Sequence, residues 1–345
     1  MRTPERKNKN ATAILPPAFR IEWSQAISSA VPCGFARITC YAMIKRAPKA
    51  AFLLLCAISV IVAWHPLRET LWLATHEDEY THLLLILPAV AALIWLKSGK
   101  ERRSSSASSP SRSKRWLMAP GLSAGTILLC GSLLLAAFAR WRVVLPPDQQ
   151  LTANMLALVT WWAGSFVLCF GTRASRALLF PLGFLFLLVP LPRFLLDEIV
   201  AWLQQASAFT AHCMFSVARV PVTQNGVLLD IPGLTVEVAK ECSSIRSSSL
   251  LLVTTMILAQ LLLRTWWRKW LAIAVAIPVS VAKNGLRIFT IAMLGTRVDE
   301  SYLTGKLHHQ GGIVFFSIGL ACMFFVLWIL HRNERASFSR VRNPG

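Results

Sequence analysis

The sequence predicts an all-α polytopic integral membrane helical bundle of about 8 transmembrane helices, with a small extended ribbon in the outer loop before Cys242. Three observations carry that prediction. The 345 residues are 55% hydrophobic and only 15% charged, and the mean hydropathy is +0.53. The apolar residues fall in continuous runs long enough to cross a bilayer core as helices, roughly 20 residues each. They do not alternate, which excludes a closed barrel. The lysines and arginines that give the formal charge of +20 cluster in short segments between those runs, the pattern of positive-inside topology.

The spans fall at residues 51–65, 82–97, 116–139, 153–170, 177–192, 243–263, 270–294 and 309–331. A further segment, 195–218, is amphipathic rather than uniformly apolar, and fits an interfacial helix, a re-entrant segment or a ninth packed helix. With the N-terminus cytoplasmic, the inner segments are 1–50, 97–115, 171–176, 264–269 and 332–345, and they hold most of the 36 Lys+Arg residues. The reverse orientation would translocate the block KSGKERRSSSASSPSRSKR, a Ser/Arg-rich loop. Residues 1–50 then form a basic cytoplasmic N-terminal extension, ordered or not and without a cleavable signal, residues 51–331 the transmembrane domain, and residues 332–345 a basic cytoplasmic tail. In the longest outer segment, about 193–242, two short extended pieces around Val227–Leu229 and Leu234–Val238 are punctuated by turns at Asn225-Gly226 and Pro232-Gly233.

The charge reports topology and contact with membrane lipids, and no readout motif for nucleic acid is present. None of the eight cysteines forms a CxxC pair, and most lie inside apolar runs as small hydrophobes. The stretch HEDEYTH, with His76 and His82 flanking Glu77, Asp78 and Glu79, has no regular ligand spacing, and His65 lies further off. It reads as a polar outer loop with Tyr80 as a headgroup anchor. Neither metal nor cofactor is expected.

Against this topology three polar residues reach one level. Cys242, in KECSSIRSSS, opens the sixth span from outside. Arg287, in KNGLRIFTI, lies about 25 Å along the seventh span from Trp270. His308, in KLHHQGGIVFF, opens the eighth. A thiolate, an imidazole and a guanidinium suit acyl transfer. The thiolate attacks, the imidazole takes the thiol proton and returns it to the leaving amine, and the guanidinium holds the oxyanion. Arginine stays protonated and cannot be the base. Each residue also has a plainer reading. Cys242 is a small interfacial residue, Arg287 snorkels or pairs with Glu241, and His308, like its neighbour His309, caps a helix. Gly311, Gly312 and Phe316 follow at helical spacing, as in close helix packing.

These motifs, taken in order, resemble the exosortase/archaeosortase family of membrane cysteine transpeptidases. WLATHEDEYTHLLLILP is similar to the family's early acidic-aromatic segment, and FPLGFLFLLVPLP to its Pro-rich fifth span. VEVAKECSSIRSS resembles its cysteine motif, with Ser244 where glycine is common. NGLRIF carries the Asn-x-x-Arg-Ile pattern from Asn284 to Ile288, and HHQGGIVFF the pattern His-x-x-x-Gly-x-x-x-Phe through His308, Gly312 and Phe316. The resemblance covers roughly residues 50 to 331 and favours His308 over His309.

The resemblance implies catalysis by Cys242, Arg287 and His308, with Glu241, Arg246, Asn284 and Gly312 in supporting or substrate-binding places. Arg246, and Lys283 one turn before Arg287, would face Glu241 or an acidic residue of the substrate. It implies a bacterial inner-membrane enzyme with both termini cytoplasmic and its active site at the periplasmic face. Its partners would be exported proteins ending in a sorting signal, made of a PEP-CTERM-like motif, a transmembrane helix and an Arg-rich tail, and an exopolysaccharide or envelope acceptor. Two non-catalytic alternatives stand beside it: a membrane scaffold of an envelope assembly, or a transporter component with Arg287 and Lys283 on an anion path. No internal repeat supports the latter.

Overall fold

The computed structural model describes residues 34–104, 119–141, 145–238, 245–297 and 306–342, with side chains over 48–97, 122–140, 145–238, 245–297 and 312–336. Residues 1–54 and 55–345 form two units. The described part of the first is the start of helix α1, Gly34–Val62. The second holds the end of α1 and every described element that follows.

It is an all-α polytopic membrane bundle. Six described helices are long and apolar enough to cross a bilayer, or up to eight if two bent pairs each count as one span. The first bent pair is α1 and α2, Trp64–His76, set 77° apart at Ala63, so the run at 51–65 is not one straight span. A single-turn 3-10 segment, Asp78–Tyr80, leads into α3, Leu83–Ser104. Helices α4, Ala119–Trp141, and α5, Pro147–Ala177, form a tight hairpin. Pro147 opens α5, where its missing N–H costs nothing, and Gly171, at φ 80°, kinks it near its end.

The run at 177–192 is the second departure from the sequence reading. It forms only α6, Leu179–Phe184, and a 3-10 turn, Leu185–Leu188. It then bends by 96° into α7, Arg193–Val217. The cause is Pro190-Leu191-Pro192: a residue before proline is driven out of the α region, as Val189 is at ψ 117°, and Pro192 at ψ 148° then stands as the extended N-cap of the next helix. The start of α5 holds this corner. Thr152 Oγ1 donates to Pro190 O at 2.9 Å, and Arg193 N donates to Asp148 Oδ2 at 2.8 Å, capping α7. Tyr80 Oη donates to Leu191 O at 3.0 Å from the other side.

The ambiguous segment 195–218 is thus a packed helix. Leu196, Val200, Leu203, Ser207, Ala208, Ala211 and Phe215 make its buried face. It ends in a Schellman motif, with Val220 N donating to Phe215 O and Arg219 N to Ser216 O. Arg219 takes the left-handed position at φ 57°, where glycine is usual.

The expected ribbon is a three-stranded antiparallel meander, β1 Thr223–Asn225, β2 Leu228–Ile231 and β3 Leu234–Glu237. The first strand was not foreseen. Gly226 and Gly233 occupy the two turns at φ 64° and 86°, as the turn residues predict. Leu229, Ile231 and Val238 bury against Ala208, Ala211 and Phe215 of α7 and against Ile288 and Ala292 further along the chain. Those last two lie on α9, Trp266–Arg297, which follows α8, Ile245–Leu262. Helix α10, Lys306–Arg342, completes the bundle. Leu251 of α8, Ala276 of α9 and Met323 of α10 form their common core.

Candidate active site

The chain that enters the cysteine motif is pinned on both sides. Upstream, Val238 is 1% exposed. Its N–H donates to Val227 O at 3.0 Å, and its carbonyl accepts from Gln204 Nε2 of α7 at 2.8 Å. Downstream, α8 begins at Ile245. Glu241 and Cys242 lie between these points, outside the described residues.

The first turn of α8 is laced to its neighbours by polar side chains. Arg246 Nη1 donates to Asp78 Oδ1 at 2.7 Å, reaching the 3-10 turn 168 residues away. The sequence reading gave Arg246 a partner in Glu241 or the substrate; the described partner is Asp78. Lys283 Nζ of α9 donates to Ser247 Oγ, and Ser280 Oγ to Ser248 Oγ at 2.7 Å. Lys283 and Ser280 are each 5% exposed, so this is an interior seam of a kind that is costly in a bilayer and retained for a purpose.

One residue on, Asn284 is 1% exposed and donates through Nδ2 to Ser207 Oγ of α7 at 2.9 Å. Its Oδ1 is buried with no hydrogen bond among the described residues. Gly285 follows at the α7 crossing, where an added Cβ would stand 2.7 Å from the Thr210 side chain. Arg287 lies on α9 one turn past Lys283, half-buried and within electrostatic range of it. The motif Asn-x-x-Arg-Ile therefore has a division of labour. Asn284 and Gly285 fasten α9 to α7, Ile288 packs under the ribbon, and Arg287 follows Lys283 one turn along α9.

Helix α10 approaches α9 through Gly319, whose missing Cβ would stand 3.2 Å from Lys283 Cδ. His308 is in the first turn of α10, three helical turns or about 16 Å before Gly319 along the axis, and its side chain lies outside the described residues. At Gly312 an added Cβ would meet nothing within 4 Å among the described residues. Phe316, one turn later, packs against the common core.

The histidines of the early polar segment go to separate partners. His65 Nδ1 lies 3.4 Å from Glu69 Oε1. His76 stacks on Trp72 at 4.7 Å, and His82 Nδ1 contacts Glu79 O at 3.1 Å. Sequence reasoning missed the serine seam and the Asp78–Arg246 pair. The run SSIRSSS at the head of an apolar span is visible in the sequence, but its partners on α9 and at Asp78 are not.

Chemically, the described geometry provides one rigid platform: two cations on one helix turn, set against the start of the helix that the cysteine motif leads into. The family comparison agrees in extent. The transmembrane exosortase (Exosortase_EpsH) family model matches residues 72–325, from α2 to α10. No curated protein and no solved structure gives a match. The matched residues hold every helix that builds this platform, and the chain belongs to the transmembrane exosortase family.

Proposed function

We propose that this multi-pass membrane protein is a cysteine protease/transpeptidase that removes the C-terminal sorting signal of exported proteins through an acyl-enzyme on Cys242. The Cys242 thiolate attacks the scissile carbonyl. The tetrahedral oxyanion is held by Arg287, and His308 carries the thiol proton to the leaving amine. The C–N bond breaks, the hydrophobic tail departs, and the thioester passes to water or to an amine of an envelope acceptor. The chemistry calls for no cofactor. Working from the outer face of the bacterial inner membrane suits a substrate whose tail diffuses laterally in the bilayer.

One observation carries this reading: the antiparallel register of α8 and α9. Ser248 meets Ser280 and Ser247 meets Lys283. One further turn along α9 reaches Arg287, and the same step back along α8 runs off its start toward Cys242. A guanidinium half-buried at that depth is expensive unless it is used.

The test is co-expression with an epitope-tagged exported protein carrying a motif, a helix and an Arg-rich tail. Wild type should shorten the substrate, and Cys242→Ala, Arg287→Ala and His308→Ala should not, with insertion unchanged. Shortening that survives Cys242→Ala would overturn the proposal. Unshortened substrate with wild type, across several tails, would favour a scaffold.

A further inference from the structure

Away from this platform, α1, α2, α4 and α5 line a half-open cavity of about 580 Å³. Its two ends are fixed by hydrogen bonds along α5. At one end Gln150 Nε2 donates to Ala139 O at 3.2 Å. At the other, three turns or about 16 Å away, Trp161 Nε1 donates to Leu55 O at 3.2 Å and Trp162 Nε1 to Ser59 Oγ at 2.9 Å. The helix axis therefore orders the lining by depth. Arg140, Gln150 and Asn154 belong to the first end, with His65 and Glu69 of α2 beside them, because α2 leaves α1 at 77° there. Leu133, Leu158 and Trp161 belong to the second.

The polar end is not self-satisfied. Glu69 is engaged by His65 at 3.4 Å. The side chains of Arg140 and Asn154 have neither a hydrogen-bond nor an ion-pair partner among the described residues. Arg140 is the end of a span, Leu122–Arg140, so its guanidinium lies at headgroup depth while the cavity runs inward. Ile58 and Leu133 on the walls are 47% and 57% exposed, so the lower part opens sideways to where acyl chains lie.

From this two-ended lining we infer that the cavity is a phospholipid site, with the phosphate on Arg140 and Asn154 and one acyl chain running down toward Trp161. A planar guanidinium beside a carboxamide donor matches phosphate oxygens. An apolar slot open to the bilayer admits a chain without desolvating anything polar. A soluble anion would use only the upper end and leave the lower part empty.

The test uses the full chain in nanodiscs containing phosphatidylglycerol with a photoactivatable acyl chain, followed by peptide mapping of the adducts. The expected result is adducts concentrated on the cavity-lining parts of α4 and α5. They should fall about tenfold in Arg140→Gln, the size of one lost charge-assisted hydrogen bond, and should vanish when Ala136→Trp fills the slot. Soluble glycerol phosphate in excess should not displace them. Arg140 is exposed, so its variant decides the matter should the filling variant misfold. Adducts spread evenly over the apolar belt, adducts undiminished in Arg140→Gln, or displacement by glycerol phosphate would each overturn the inference. Displacement by an exported protein's tail helix would overturn it too, since the slot would then belong to substrate. None of these readouts uses proteolysis, so they stand or fall apart from the proposed reaction.

Discussion

Helices α4 and α5 meet through glycine, whereas α8 and α9 meet through serine and lysine. At Gly125 of α4 an added Cβ would stand 2.8 Å from the Leu168 backbone, and at Gly164 of α5 it would stand 3.0 Å from Leu128 Cβ. Across α8 and α9 the contacts are Ser280 on Ser248 and Lys283 on Ser247. Lipid tails are as apolar as leucine, so no hydrophobic force drives either pair together. Close backbone approach suffices for the first and carries no desolvation cost. The second retains a lysine and three serines, although apolar packing of equal volume often holds helices as well or better. The difference is one of cost: the glycine pair meets without desolvating anything, whereas the seam buries a lysine and lies at the start of the helix that follows the cysteine motif.

The largest effect that would break this comparison is expected at the glycine pair. Gly125→Leu must push α4 off the Leu168 backbone, which cannot yield, and overpacking of this kind costs about 1–3 kcal/mol or more. The melting midpoint in detergent should fall clearly. Gly131→Leu on the same helix is the control, because a Cβ there meets nothing within 4 Å. Equal losses in the two variants would mean that helix propensity, not the close crossing, sets the stability. Gly285→Ala should lie below Gly125→Leu because it adds only one methyl group, although Thr210 Cβ and Cγ2 at 2.7 Å and Ala211 N at 3.2 Å stand in its way. Its loss should be relieved in part by Thr210→Ser.

The seam should behave the opposite way. Lys283→Met keeps the stem that packs on Gly319 and removes the charge. The melting midpoint should move little while processing falls at least about tenfold, the equivalent of roughly 1.4 kcal/mol. Lys283→Arg should restore less than full activity, because a guanidinium is longer and planar. A Lys283→Met variant that melts early and processes normally would make the seam a mere staple. The double variant with Ser247→Ala should show coupling of about 0.5–3 kcal/mol, since the two residues share one contact.

How much of this was legible in the sequence follows from what hydropathy measures. The runs at 82–97, 243–263, 270–294 and 309–331 led to helices α3, α8, α9 and α10 because an apolar chain must satisfy its own backbone in a bilayer. The run at 177–192 is equally apolar yet bends by 96°, because Pro190 and Pro192 act on backbone angles to which hydropathy is blind. The ribbon was visible from Gly226 and Gly233, whose positive φ the turns require. Its first strand, Thr223–Asn225, was not, because Thr, Gln and Asn carry no apolar alternation. At the site, Arg287 stood out as a charge in a span. The serine seam did not, because a hydroxyl in a helix can bond its own preceding turn, as Thr290 Oγ1 does to Leu286 O at 2.7 Å. Only the three-dimensional pairing distinguishes the two cases. The same holds for Arg246, whose acid partner lies 168 residues away.

That last pair gives the smallest expected effect and the finest test of the contrast. Asp78 and Arg246 are 77% and 55% exposed in their side chains, so their 2.7 Å contact should contribute only about 0.2–1 kcal/mol to stability. Asp78→Asn should therefore leave the melting midpoint nearly unchanged. Yet the pair ties the turn before α3 to the helix turn that follows the cysteine motif, so its loss frees that turn on one side. We expect a severalfold fall in processing at low salt that shrinks as added salt screens the wild-type pair, and Arg246→Gln should cost no more when Asp78 is already Asn. A fall of the same size at every salt concentration, or two losses that simply add, would mean that Arg246 meets the substrate directly and that Asp78 only rests against it.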